Sequence, residues 1–408
     1  MRFHYECNDC HAEYDSGSVM YRCPACSNDQ HANNEFSKGN LIVRPNREDL
    51  TGIVSKETWT YHDLLPYPIF HRDSYPVGNT ALARPHRLAE RYGMPNVFCK
   101  LEGSQPSGSF KDRASQLVAA QAIAHGESKI ALASTGNAGA AMSCAGAAYG
   151  LQIILFVPEH APANKLMQSV LYGATVVPVK GTYDDAFALS IAYTDHFGGI
   201  NRNTAYNPMT VEGKKSVSIE LYQQLQNKVP DAVYVPVGDG CIYAGVYKGF
   251  YDLKEAGLIK SVPPIICVQS AESNAISQAW KHNTYRTVHA TTKADSINVS
   301  SPANGRMAVR YIRESNGWAT EVSDQEIFDA QLELARDAGI FVEPAAACAW
   351  AGFVKDREKL CERFTRNASV CVLLTGVGFK DMAAFTGKAP IPPSIENSIE
   401  AVLKRFGR

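Results

Sequence analysis

Short apolar runs alternate with longer amphipathic stretches through most of the chain. Val97–Lys100, Ile130–Ala133, Ile153–Val157, Thr175–Val179, Ala232–Val237, Ile265–Val268 and Val370–Leu374 are apolar, rich in β-branched residues and bounded by turn formers. That pattern predicts strands. Between them the apolar positions take helical spacing. The predicted helices are Pro85–Tyr92, Lys111–His125, Ala138–Tyr149, Pro162–Tyr172, Asp184–His196, Val211–Gln226, Tyr243–Ala256, Asp324–Ala338 and Ala345–Lys355. Gly93, Gly126, Gly150 and Gly173 stop four of them, and proline sits in the first turn of the fourth. Strand–helix alternation predicts parallel sheets covered by helices on both faces, with ligands at the carboxyl ends of strands. Residues 41–80 carry Pro45, Pro66, Pro68, Pro76 and Gly78 and predict an irregular entry arm. A surface helix over Ile399–Phe406 is expected to close the chain.

Composition narrows the class. The 408 residues predict two or more domains, and 45% hydrophobic with 20% charged residues is ordinary for a globular protein. A net charge of −1 argues against nucleic acid or an anionic membrane as partner. No run of 18 apolar residues is present, and Met1–Cys7 lacks the apolar core of a signal peptide. The expected location is the cytoplasm, with the eleven cysteines reduced. Cys99, Cys267 and Cys371 lie within apolar strings and read as small core residues.

Residues 1–40 stand apart. Cys7-x2-Cys10 and Cys23-x2-Cys26 are two knuckles separated by twelve residues, with Tyr5, Tyr14 and Tyr21 around them. Four thiolates at this spacing can close a tetrahedral structural zinc site, as in a zinc ribbon. So short a segment buries too little to fold alone, which suits a metal staple. A disulfide pair or an empty relic site would have the same spacing. The segment is not basic, which argues against a nucleic-acid ribbon.

Three loops carry candidate chemistry. Gly238-Asp239-Gly240 follows an apolar strand and precedes a helix, as a phosphate cradle would, although a plain tight turn reads the same. It is not a P-loop, since no Gly-Lys-Ser/Thr follows. Ser134-Thr135-Gly136-Asn137 could hold a carboxylate or simply cap the next helix. In Ser107-Gly108-Ser109-Phe110-Lys111-Asp112-Arg113, two cations stand at a helix start, against the positive end of its dipole. A lysine kept there suits Schiff-base chemistry, in which a free amine also serves as a base.

Gln105–Arg113 resembles the pyridoxal-phosphate lysine motif of fold-type-II enzymes, and of the threonine synthase family most closely. Ser134–Asn137, Val235-Pro236-Val237-Gly238, Glu343-Pro344-Ala345 and Leu374-Thr375-Gly376 follow in that family's order, and the cysteine ribbon is similar to that of many members. The resemblance spans nearly the whole chain. It implies an α/β fold of two three-layer α/β/α domains with parallel sheets, plus the small zinc-ribbon-like segment. The divisions are 1–40 for the ribbon, 41–130 with 205–408 for a large cofactor-binding domain, and 131–204 for a small domain. It implies pyridoxal 5′-phosphate held covalently by Lys111, with Phe110 near its ring and Asn137 on its 3′-hydroxyl. Gly238, Asp239, Gly240 and Cys241 would line its phosphate, and Thr375 would face the pyridine nitrogen. Ser134, Thr135 and Gly136 would take the carboxylate of an amino-acid substrate. The implied reaction is that of a cytoplasmic, homodimeric biosynthetic lyase, converting O-phosphohomoserine and water to threonine and phosphate. Cysteate synthase-like or cysteine synthase-like β-replacement on an activated serine, or amino-acid dehydration, is the alternative. The chain departs from the family pattern at Ala138, where a hydroxyl is common, at Thr210, where an arginine is common, and at Asp239, where asparagine is common. Arg202, Lys214 and Lys215 are the candidate replacement cations.

Overall fold

The computed structural model describes residues 1–27, 35–385 and 392–407. Three strands, β1 (Phe3–Cys7), β2 (Glu13–Asp15) and β3 (Leu41–Pro45), form an antiparallel sheet in the order β2-β1-β3. The ribbon therefore reaches Pro45, beyond the expected limit of residue 40. Leu41, Ile42 and Val43 are buried apolar residues that pair with Cys7, Glu6 and Tyr5. The entry arm is also less irregular than its prolines suggested, since Arg47–Val54 is a helix capped by Asn46.

The chain then starts its largest sheet with β4 (Leu82–Ala83) and β5 (Val97–Leu101). It leaves that sheet for a four-stranded one built from β6 (Lys129–Ala133), β7 (Gln152–Pro158), β8 (Thr175–Val179) and β9 (Ile200–Asn201), in the order β8-β7-β6-β9. It returns with β10 (Ala232–Pro236), β11 (Ile265–Ser270), β12 (Ala319–Val322) and β13 (Val370–Leu374), giving β12-β11-β10-β13-β5-β4. Both sheets are parallel except for β4, a two-residue edge strand antiparallel to β5. Every residue of β10, β11 and β13 is buried, as strands covered on both faces must be.

Two features hold the reactive loop. The helix Lys111–Ala124 buries Asp112 through Ala122 and packs against the helix Asn137–Tyr149 and against residues 209–215. Beneath it lies a closed ionic network. Arg113 donates to Glu102 and Glu220 at 2.8 Å, and Lys100 donates to Glu220 at 2.8 Å. These side chains are almost wholly shielded from water. The two cations expected to oppose the helix dipole are thus not equivalent: Arg113 is neutralised from below, and Lys111 alone stays without an ion-pair partner among the described residues. The segment Val211–Gln226, expected as one helix, is Met209–Glu212, a 3₁₀ turn Gly213–Lys215 and Ser216–Gln224. Gly213 permits the tight contact there, because a Cβ would meet the backbone of Ala114 at 3.0 Å.

Candidate active site

The carboxyl ends of β5, β10 and β13 converge. The backbone N–H of Phe110 donates to the Thr375 carbonyl at 2.8 Å, and that of Val377 donates to the Gly108 carbonyl at 3.1 Å. Gly108 takes φ +88°, which an L side chain rarely adopts. The loop before Lys111 is thereby stitched to the turn after β13, and the lysine emerges at a fixed place.

A cleft opens there. Phe110, Lys111, Asn137, Gly238, Asp239, Gly240, Cys241 and Thr375 all line it. Ser134, Thr135 and Gly136 do not; they form the turn one step before Asn137. The Ser134 hydroxyl accepts the N–H groups of Gly136 and Gly139 at 3.3 and 3.0 Å, so it caps the helix Asn137–Tyr149.

The 238–241 turn leads into the helix Cys241–Glu255, whose first N–H groups have no intrahelical acceptors. A Cβ on Gly238 would lie 2.9 Å from Ile297 Cα. One on Gly240, at φ +87°, would lie 2.9 Å from the Asn304 carbonyl. Only glycine fits at both places, and both glycines line the cleft. Asp239 is held by its neighbours: its carbonyl accepts from Asn304 N–H at 3.0 Å, and its Oδ1 accepts from Ala303 N–H at 3.4 Å.

The electrostatics favour uncharged forms. Burial pushes the Lys111 amine below the usual lysine range, and the Arg202 guanidinium acts in the same direction, while Cys241, Asp239 and Glu343 oppose it. Lys111 is only partly exposed and lines the cleft. Burial also raises the carboxyls of Asp239 and Glu343.

Glu343 was visible in the sequence only as part of Glu343-Pro344-Ala345. It lines the cleft, accepts from Asn137 Nδ2 at 3.0 Å and accepts the Ser296 hydroxyl at 3.3 Å. Thr204 and Ser296 also line the cleft and carried no sequence signal.

The positions that break the family pattern are accounted for differently. Thr210 is spent inside the fold, its hydroxyl donating to the Asn207 carbonyl at 2.7 Å and accepting Ala205 N–H at 3.2 Å. Of the three replacement cations, Lys215 is unavailable. It is buried in ion pairs with Glu212 and Asp252.

At the other end of the chain, the Sγ atoms of Cys7, Cys10, Cys23 and Cys26 all lie within 4.8 Å of one another. Cys10 and Cys23 are 3.7 Å apart, near the roughly 3.8 Å edge of a tetrahedron with Zn–S bonds of about 2.3 Å.

Comparison with known proteins agrees with this geometry. The family described as pyridoxal-phosphate dependent enzyme matches residues 74–376. A threonine synthase of Methanosarcina acetivorans is 32% identical, over 100% of this chain and 99% of its own length. A threonine synthase of Methanocaldococcus jannaschii is 32% identical, over 98% of each chain. Among solved structures, threonine deaminase isoform 2 from Solanum lycopersicum aligns with a TM-score of 0.68 at 20% identity, covering 84% of this chain and 93% of its own. Maize serine racemase aligns with a TM-score of 0.65 at 20% identity, covering 74% and 89%. At such identities the two structures speak for the fold alone.

Proposed function

Given that the chain belongs to the pyridoxal-phosphate dependent enzymes and, within them, to the threonine synthase family, we propose that Lys111 carries the cofactor and moves the protons of the reaction. The enzyme is a threonine synthase-like lyase. The observation that carries the assignment of Lys111 is its place: a sheltered amine without an ion-pair partner, facing a glycine-built helix N-terminus across one cleft.

The residues present fit the group. The Gly238–Cys241 turn offers backbone N–H groups and a helix dipole to a phosphate, with no room for a Cβ at Gly238 or Gly240. Asn137, Thr375 and Phe110 line the same cleft and would hold its 3′-hydroxyl, pyridine nitrogen and ring. Ser134, Thr135 and Gly136 remain the proposed seat of the substrate carboxylate, with Ser134 also shaping the turn. When bound, the cofactor supplies carbanion stabilisation at the substrate Cα.

The chain's own part is proton transfer and positioning. Burial holds the Lys111 amine below the usual lysine range, which favours the free base that would take the Cα proton. In converting O-phosphohomoserine and water to threonine and phosphate, the Cγ–O bond breaks and phosphate leaves with the electron pair. The oxygen of water bonds to Cβ. Across the turnover Cβ gives up one proton, Cγ gains one, and Cα recovers its own. Glu343, whose carboxyl burial raises above its ordinary range, fixes the Asn137 amide.

The proposal extends to the rest of the molecule. Cys7, Cys10, Cys23 and Cys26 would bind a structural zinc ion, supported by the closeness of their sulfurs. Residues 131–204 would form the small domain around the sheet β6–β9. A homodimer is supported by exposed apolar side chains such as Met167, Val170 and Leu171. No helix of the described residues is long and apolar enough to cross a membrane, which suits the proposed cytoplasmic location.

Release of inorganic phosphate from O-phosphohomoserine, with threonine formed in equal amount, tests the activity. Turnover of O-phosphoserine with sulfite or sulfide and no phosphate release from O-phosphohomoserine would overturn it in favour of β-replacement.

A further inference from the structure

Fully buried cations in this protein are matched by carboxylates. Lys100 faces Glu220, Arg113 faces Glu102 and Glu220, Lys215 faces Glu212 and Asp252, and Lys248 faces Asp252 at 2.6 Å. Burying a charge without a partner is costly, so the pattern is expected. Arg202 and Lys214 break it. Both have no exposure to solvent, and neither reaches a carboxylate at ion-pair distance among the described residues.

Their polar contacts are few. Arg202 Nη1 donates to the Thr204 hydroxyl at 2.8 Å, while its Nε and Nη2 have no partner among the described residues. Among the described residues, Lys214 Nζ donates only to the Thr210 carbonyl. Burial pushes the Lys214 amine down to about 7 and the Arg202 guanidinium down to about 10, as expected of cations awaiting a counter-ion.

Their surroundings say where the missing anion goes. Arg202 reaches the Thr204 hydroxyl, and Lys214 packs against the first turns of the helix Cys241–Glu255, where a Cβ on Gly245 would meet the Lys214 Cβ. Thr204 and Cys241 both line the cleft. The positive end of the helix dipole, two unmatched cations and the Lys111 amine therefore converge on one corner. The acids within reach do not balance them. Asp239 accepts from Ala303 N–H, Asp112 is occupied by Tyr75 and Ser107, and neither reaches Arg202 or Lys214 at ion-pair distance among the described residues. A phosphoryl group brings close to two negative charges at neutral pH and acceptors for the free N–H groups.

We propose that Arg202 and Lys214 form a buried cation pair that receives a phosphoryl dianion at the N-terminus of the helix Cys241–Glu255. Carried by the cofactor or by the substrate, the group is the same in chemistry, and the experiment separates the two sources. The inference rests on the cofactor reading above and deepens it by naming two residues of this chain that lie outside the cradle turn.

The test compares wild type with Lys214→Met and Arg202→Met. Dissociation constants of pyridoxal 5′-phosphate and of pyridoxal, which lacks the phosphate, are read by absorbance titration of the apoprotein. KM for O-phosphohomoserine and the spectral binding of homoserine are read on holoenzyme. If the pair serves the cofactor, pyridoxal 5′-phosphate binds at least tenfold more weakly while pyridoxal is unchanged. If it serves the substrate, cofactor binding holds, KM rises at least tenfold and homoserine binding is unchanged. Lys214→Arg restores either loss. Equal weakening of phosphorylated and unphosphorylated ligands, or no change in any of them, overturns the proposal. Should Lys214→Met fail to fold, Lys214→Gln, which keeps a donor for the Thr210 carbonyl, carries the same comparison. A wild type that takes up no pyridoxal 5′-phosphate refutes the cofactor reading itself, whereas equal binding by wild type and variants refutes this inference alone.

Discussion

Asn40 Nδ2 donates to Asn304 Oδ1 at 2.6 Å, joining residues 264 positions apart. Each end leads on. The Asn40 carbonyl accepts Asn8 N–H and the Gly39 carbonyl accepts Cys23 N–H, both at 2.9 Å, so residues 39–40 are tied to the cysteine knuckles. Asn304 N–H in turn holds the Asp239 carbonyl. The ribbon and the Gly238–Cys241 turn are thus linked through consecutive hydrogen bonds. Asn40→Ala should leave the buried Asn304 amide oxygen unsatisfied, at a cost of about 1–3 kcal/mol. It should also weaken pyridoxal 5′-phosphate binding several-fold in absorbance titration. A loss of thermal stability with unchanged cofactor affinity would show that the link supports the fold but not the cradle.

Metal content gives a second prediction. Zinc measured on purified protein should be near one equivalent, and Cys7→Ser should lower it substantially, since three thiolates do not close a structural site. Metal analysis after dialysis checks this; unchanged content in the variant would remove the ribbon assignment.

The cradle gives a third. Gly240→Ala must adopt φ near +87° and place its Cβ against the Asn304 carbonyl. Cofactor content should fall at least tenfold, with secondary structure by circular dichroism unchanged. An alanine variant that retains full cofactor would mean that the backbone is not approached closely there.

The buried network predicts a pH dependence. Burial raises the Glu220 carboxyl, but the Arg113 and Lys100 cations outweigh it and hold the group near 2, below its ordinary 4.5. Because the folded pKa is depressed, the stabilisation is fully present above about 4.5 and is lost as pH falls toward 2. Glu220→Gln should flatten the stability curve over that window. At neutral pH it should cost about 3–5 kcal/mol, because Arg113 loses one carboxylate partner and Lys100 its only one among the described residues. Urea unfolding of both proteins between pH 2 and 7 measures this; parallel curves would assign the acid sensitivity to other groups.

Much of this was legible in the chain. β10 and β13 are unbroken apolar runs because helices cover both faces, and the glycine turn after β10 is visible for the same reason. The four cysteines are close in sequence, so their spacing speaks directly. β9 and β12 were missed: the first is two residues long, and the second, Ala319–Val322, is an edge strand with alternating burial. The fates of the cations were hidden because their partners are remote. Glu220 lies 107 residues from Arg113, and nothing local marks Arg113 as neutralised while Arg202 is left unmatched. Glu343 belonged to a motif, but its bond to Asn137 spans 206 residues.

The central claim is that Lys111 carries the cofactor. Borohydride reduction of holoenzyme fixes the linkage, and peptide mass mapping then locates the pyridoxyl group. The account predicts the tag on the peptide containing Lys111, and its loss in Lys111→Ala together with the absorption band near the visible edge. A tag on Lys214 or Lys380, or no tag on a protein that holds the cofactor, would contradict it.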